Sequence, residues 1–421
     1  MLFCLYVLLL VYIYKTYQKN KITSIFLFWL IYLVVESLVS FLGFTFFKKF
    51  TSQDLKFDTE FYYIFFVFVF TTIITYNFFK TKSKLLSLKG IKYKYLFKFK
   101  LSNYKNTISI LFLIFILISV KMFSENMNIL NFLSSNNSRA LVGSNTSGVE
   151  FLLYKMGLIL IGLFAVKGRI MKISLIEKVL FGIILFYYFL YGGRFLVFAS
   201  LLIFSLLYYG EKIKNITKTK FILAIITYYL ISVSYANVRY YSISERDIVK
   251  TFTYKNMAST TLMQLGGNLV DFSLVSENIL KRDLLKEKFF PTILEGFLPS
   301  FVRESFFDSY FQKRVNYGKI FAESTGQNDN SLRLNFTNEV FFSFGYIGVV
   351  FYGFIVGLSF SFFDKSSTIQ TMAIGVFFFV QLLSLHILGS NTFSNTVILT
   401  ILFILIINKI FHKQNGVIYY T

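Results

Sequence analysis

The chain has 421 residues, of which 55% are hydrophobic, 20% aromatic and only 15% charged. Soluble domains carry about 25% charged residues, so this composition excludes an ordinary soluble enzyme. The net charge of +22 does not mark a nucleic-acid binder either: 34 of the 43 basic residues are lysines, most of them in short connections flanking apolar runs, where they report membrane topology.

Apolar runs near the length of a bilayer core recur along the chain, and they predict eleven spans. These are 1–14, 24–47, 61–79, 107–123, 150–166, 173–191, 195–209, 221–236, 340–363, 369–388 and 396–408. The runs are too long and continuous for barrel strands, so the expected fold is an all-α polytopic membrane protein. The first run has no basic flank before it and no small-residue cleavage site after it, and reads as a retained helix. Cys4 is the only cysteine, so no intramolecular disulfide can form. His386 and His412 are the only histidines, too few for a His-based metal site.

The segment 80–105 holds nine lysines and no acid, the mark of a cytoplasmic loop. Counting outward from it puts Lys15/Lys19/Lys21, Lys167/Arg169/Lys172, Lys212/Lys214/Lys218/Lys220, Asp364/Lys365 and the C-terminal tail with Lys409 and Lys413 inside as well. The region 173–209 is the test of that count. As one helix it would run about 56 Å, nearly two bilayer cores, and would invert everything after it. A hairpin turning at Gly192-Gly193 keeps the following lysines inside and places Arg194 at the outer turn.

Residues 237–338 then form one long extracytoplasmic loop between spans 1–236 and 339–421. The loop holds both prolines, 13 basic and 11 acidic residues, so it is nearly neutral, unlike the inner connections. A loop of this length usually carries structure and function of its own, here short amphipathic helices on the membrane surface.

Lysine outnumbers arginine 34 to nine, yet on this topology only Arg169 faces inward. Arg139, Arg194, Arg239, Arg246, Arg282, Arg303, Arg314 and Arg333 all face outward. A chain that writes lysine nearly everywhere but places arginine outside has a use for the planar guanidinium, which grips phosphate or carboxylate bidentately. Arg282 and Arg303 each precede an acid and can simply pair with it. Arg194, Arg239 and Arg333 have no adjacent acid and lie near predicted helix ends, as an anion site requires. Arg246, flanked by Glu245 and Asp247, can pair with these or join Arg239.

The run TGQNDNSLRLNFTNEVFFSFGYIGVVFYGFIVGL (Thr325 to Leu358) leads from polar residues straight into a helix. Thr337 or Asn338 is the expected N-cap, with Glu339 favouring the positive helix end or serving as a base at a cavity mouth. Gly353 and Gly357 form a small-xxx-small pattern for close helix contact. Glu36, Gln381 and His386 are polar groups inside apolar runs, and each requires either a hydrogen-bonded structural role or a chemical one.

The whole plan, with the GGR turn at 192–194 and the N-F-T-N-E-x(5)-G-x-x-G run from Asn335 to Gly348, resembles the Wzy-type O-antigen and capsule repeat-unit polymerases. These belong to the superfamily that includes the O-antigen ligases. The resemblance implies a GT-C-like fold of about eleven transmembrane helices in the bacterial plasma (inner) membrane. It implies a metal-independent, cofactor-free glycosyltransferase joining undecaprenyl-diphosphate-linked oligosaccharides at the outer face, among membrane lipids, with a chain-length regulator and a flippase as partners.

On that reading Arg194, Arg239, Arg246 and Arg333 hold the diphosphate leaving group, and Glu339 or His386 takes the acceptor's proton, Glu339 being preferred. Ligase relatives often carry histidine where this chain has Thr337, which favours a polymerase and leaves the base open. The rivals are a ligase, a flippase-type transporter and a non-catalytic scaffold. A transporter predicts inverted repeats and helices broken by Gly or Pro; no repeat and no proline appears in any span.

Overall fold

A computed structural model describes residues 2–20, 25–51, 59–82, 97–124, 148–190, 194–209, 335–364, 369–389 and 392–413, together with 269, 272, 273, 276 and 293. The described chain is helical, with α1 (Leu2–Asn20), α2 (Ile25–Thr51), α3 (Glu60–Lys82), α4 (Leu101–Ser124), α5 (Gly148–Lys155), α6 (Gly157–Ile170), α7 (Leu175–Leu190), α8 (Arg194–Tyr209), α9 (Phe336–Phe363), α10 (Ile369–Leu388) and α11 (Phe393–Ile410). One short antiparallel pair, β1 (Phe97–Phe99) with β2 (Phe411–Lys413), was not expected from the sequence. It joins two segments that the lysine count assigns to the same face.

Among the described residues, six helices are long and apolar enough to cross a membrane: Glu60–Lys80, Leu101–Met122, Glu150–Ile170, Phe336–Phe363, Ile369–His386 and Phe393–Ile410. The chain is thus an α-helical, multi-pass membrane protein. Its exposed surface agrees: α4 leaves Ile110, Leu113 and Leu117 at 59–61% exposure in an i, i+3, i+7 stripe, which water disfavours and lipid accepts. The predicted run 221–236 and nearly all of the 237–338 loop lie outside the described residues. Near Gly192-Gly193 one helix ends at Leu190 and another begins at Arg194. Phe181 and Phe204, about equally far in sequence from that glycine pair, meet with ring centroids 4.8 Å apart, as in an antiparallel hairpin.

The chain divides into two compact units that interleave in sequence. The first contains 1–89, 259–366 and 381–398; the second contains 90–258, 367–380 and 399–421.

In the first unit α9 lies along α3. The small-xxx-small pair explains how closely: a Cβ on Gly353 would lie 3.0 Å from the Phe68 carbonyl oxygen, and one on Gly357 would lie 2.6 Å from that of Thr72. Only glycine lets two backbones approach this far. Trp29 and Phe26 from α2 fill the core against Phe68, Tyr76 and Phe360. Asp364 at the end of α9 accepts from the Ile25 backbone N–H (3.0 Å) and the Tyr76 hydroxyl (2.8 Å), fixing the helix against α2 and α3.

In the second unit α6 is buried without interruption from Gly157 to Val166, so it is apolar all round rather than amphipathic. Its neighbour α7 opens with a capping box. Ser174 Oγ accepts from the Glu177 N–H (3.3 Å), and Glu177 Oε2 accepts from the Ser174 N–H (2.8 Å). The same carboxylate takes Lys167 Nζ on both oxygens at 2.7 Å and the Tyr104 hydroxyl at 2.7 Å, so one side chain links α4, α6 and α7.

Glu177→Ala strands Lys167 and should cost about 3 kcal/mol, as breaking a buried pair does. Thermal unfolding in detergent checks this, and adding Lys167→Met should restore part of the loss.

Candidate functional site

Four elements of the first unit converge on one cleft. Its lining comprises Leu33, Glu36 and Ser37 from α2, Phe61, Phe65 and Phe68 from α3, Asn335, Thr337 and Asn338 at the start of α9, and His386 in the last turn of α10. It encloses about 320 Å³ of atom-free space, including its mouth.

Each approach has a local cause. The α9 helix starts at Phe336, earlier than expected, because Asn335 and not Thr337 or Asn338 is its N-cap. Asn335 is extended (φ −72°, ψ 157°) and its side chain accepts from the Asn338 N–H at 2.8 Å. Asparagine is among the best N-caps, and with Asn335 already in that role, Thr337 and Asn338 fall inside the first turn. At the other wall α10 ends on Gly389 (φ 73°), whose N–H returns to the Leu385 carbonyl at 2.9 Å. That left-handed residue closes the helix one turn beyond His386 and sets where the ring stands.

His386 is the centre of the site. Its Nε2 lies 2.8 Å from Glu36 Oε2, and its Nδ1 lies 3.4 Å from Thr337 Oγ1. The ring is packed edge-on against Trp29 (5.5 Å between centroids) and Tyr32 (6.3 Å) and stacked on Phe68 (6.4 Å). The imidazole side chain is only 4% exposed, against 17% for Glu36. A carboxylate oxygen accepts, so an imidazole bonded to it through Nε2–H turns Nδ1, as an acceptor, toward the Thr337 hydroxyl. Carboxylate, imidazole and hydroxyl in a row can receive a proton at Nδ1 and stabilise the imidazolium that forms.

One polar atom at the cleft is unsatisfied. Asn338 is 2% exposed and its Nδ2 has no hydrogen-bond partner. A buried donor left this way costs about 1–3 kcal/mol.

Of the residues singled out in the sequence, His386 lines the cleft and Glu339 does not. Glu339 is buried in the first turn of α9, where its N–H closes the first helical bond to Asn335 O (3.1 Å) and its carbonyl accepts from Ser343 Oγ (2.8 Å). Arg194 begins α8. Arg239, Arg246 and Arg333 lie outside the described residues. Glu36 was not anticipated as a site residue; its one legible signal is a lone carboxylate inside an apolar run, which needs a partner. Among the described residues no group of three or more His, Cys, Asp or Glu side chains is arranged to hold a metal ion.

The fold and site together define a class, a multi-pass helical membrane protein with a carboxylate–imidazole pair opening on a cleft among its helices. No known protein family, no curated protein and no solved structure matches the chain.

Proposed function

We propose that this chain is a Wzy-type polysaccharide polymerase. It joins undecaprenyl-diphosphate-linked oligosaccharide repeat units into O-antigen or capsular polysaccharide at the outer face of the plasma membrane, in an eleven-span GT-C-like fold with residues 237–338 outside. The observation that carries the reading is the Glu36–His386 pair, a hydrogen-bonded base beside a cleft within membrane helices.

In the step proposed, an acceptor sugar hydroxyl attacks the anomeric carbon of the lipid-linked chain and gives its proton to His386 Nδ1. The bond from that carbon to the diphosphate oxygen breaks, and its electron pair leaves with undecaprenyl diphosphate. Arg194, Arg239, Arg246 and Arg333 stabilise the charge that develops there. His386 takes the role of base ahead of Glu339, because it lines the cleft and its proton is fixed by Glu36.

A transporter of the same lipid-linked sugars is the second reading, and one feature favours it. The α9 helix is interrupted at Gly345 (φ 65°, ψ −158°), and transporters use broken helices at their sites.

The deciding assay gives the purified chain, in lipid, repeat units on undecaprenyl diphosphate, with neither metal nor nucleotide added. A polymer ladder with release of free undecaprenyl diphosphate is expected, and Arg194→Lys should suppress both. Passage of intact lipid-linked sugar across the bilayer without a ladder would instead establish the transporter.

A further inference from the structure

We infer that the cleft is a subsite for a neutral sugar ring, that of the acceptor, and that the diphosphate binds elsewhere, with Asn338 as the donor that selects the ring. The word acceptor rests on the polymerase reading; the ligand chemistry rests on the cleft alone.

Three observations point the same way. Phe61, Phe65 and Phe68 follow one another at i, i+4 and i+7 on α3 and make one side of the cleft apolar; Phe61 and Phe68 are buried, and the half-buried Phe65 is the ring that can cover the C–H face of a sugar.

The polar groups are those that bind hydroxyls. Ser37 is already engaged, accepting from Tyr6 and donating to Val34 O, and Asn335 Oδ1 is held by the Asn338 N–H. The Asn338 Nδ2 donor remains, almost fully buried and unpartnered. A sugar hydroxyl accepting from it would remove the cost of an orphaned donor while presenting a neighbouring O–H to His386.

The charge of the described lining disfavours the alternative occupant. The one ionisable partner of His386 in the cleft is the Glu36 carboxylate, and no Lys or Arg appears among the described lining residues. Among the described lining residues a diphosphate would meet like charge with no cation opposite.

Trp29, the only tryptophan in the chain, has its ring 5.5 Å from that of His386 and reports on the site directly. The full chain in nanodiscs is titrated with the methyl glycosides of glucose, galactose, mannose and N-acetylglucosamine, and separately with inorganic diphosphate. At least one glycoside should change Trp29 fluorescence saturably, and diphosphate should neither mimic nor compete with it.

Asn338→Leu should weaken the effective glycoside about tenfold, the loss of one hydrogen bond to a buried group. Phe65→Leu, which leaves the polar groups intact, should weaken it as well and covers the case in which Asn338→Leu does not fold. No response to any glycoside, full binding by the folded variants, or competition by diphosphate overturns the inference. A polymer ladder without a glycoside response removes this subsite and keeps the polymerase. A glycoside response without a ladder keeps the neutral-ring cleft and removes the polymerase.

Discussion

Gly357→Val is expected to leave little folded protein. A Cβ at 357 would meet the Thr72 carbonyl oxygen at 2.6 Å, Thr75 Cβ at 2.8 Å and the Tyr76 nitrogen at 3.2 Å, and two of these atoms are backbone of α3. A flexible side chain can move aside; a helix backbone cannot move without shifting the whole α3–α9 contact that forms one wall of the cleft. Overpacking a core costs typically about 1–3 kcal/mol, and a rigid obstacle puts this case at the top of that range or above it.

Gly353→Ala, 3.0 Å from the Phe68 carbonyl oxygen, should cost less. Gly182→Ala is the control, because nothing lies within 4 Å of its Cβ position and alanine favours a helix over glycine by about 1 kcal/mol. Thermal unfolding and size-exclusion profiles of the three variants in one detergent measure the order. Equal stability for Gly357→Val and Gly182→Ala would contradict the close contact between α3 and α9.

The second large effect is catalytic. His386→Gln should lower the initial rate of undecaprenyl-diphosphate release by about 10²–10⁴, the usual contribution of a positioned general base. Glutamine fills nearly the same volume and can still bond to Glu36, so the fold should survive.

Glu36→Gln should also lose rate although Glu36 never meets the acceptor. An amide in place of the carboxylate no longer fixes the imidazole proton on Nε2 and no longer stabilises imidazolium. Glu339→Gln should keep most of the rate, since Glu339 stands in the first turn of α9 and not on the cleft. The reverse pattern, with Glu339→Gln inactive and Glu36→Gln active, would return the base to α9 and leave His386 a structural residue.

Local features of this chain were written in its sequence, because local structure is decided by neighbours. Apolar run length fixed the membrane class, and the Gly192-Gly193 pair marked where one helix gives way to another, since a 37-residue helix has no place in a bilayer. The 353/357 glycines were legible as a contact face, and Ser174-x-x-Glu177 is a capping box within four residues.

The N-cap of α9 shows where local reading stops. Asn335, Thr337 and Asn338 can all cap, and the backbone conformation at 335 chose among them.

What joins α9 to α3, or Glu36 to His386, was beyond any such reading. Those two side chains are 350 positions apart, and a lone acid and a lone histidine in apolar runs carry no mark of each other. Only helix contact could pair them, since it sets which faces meet and at what height. The same contact buried Asn338 with its amide unsatisfied, so the cleft belongs to tertiary structure while the helices that build it belong to sequence.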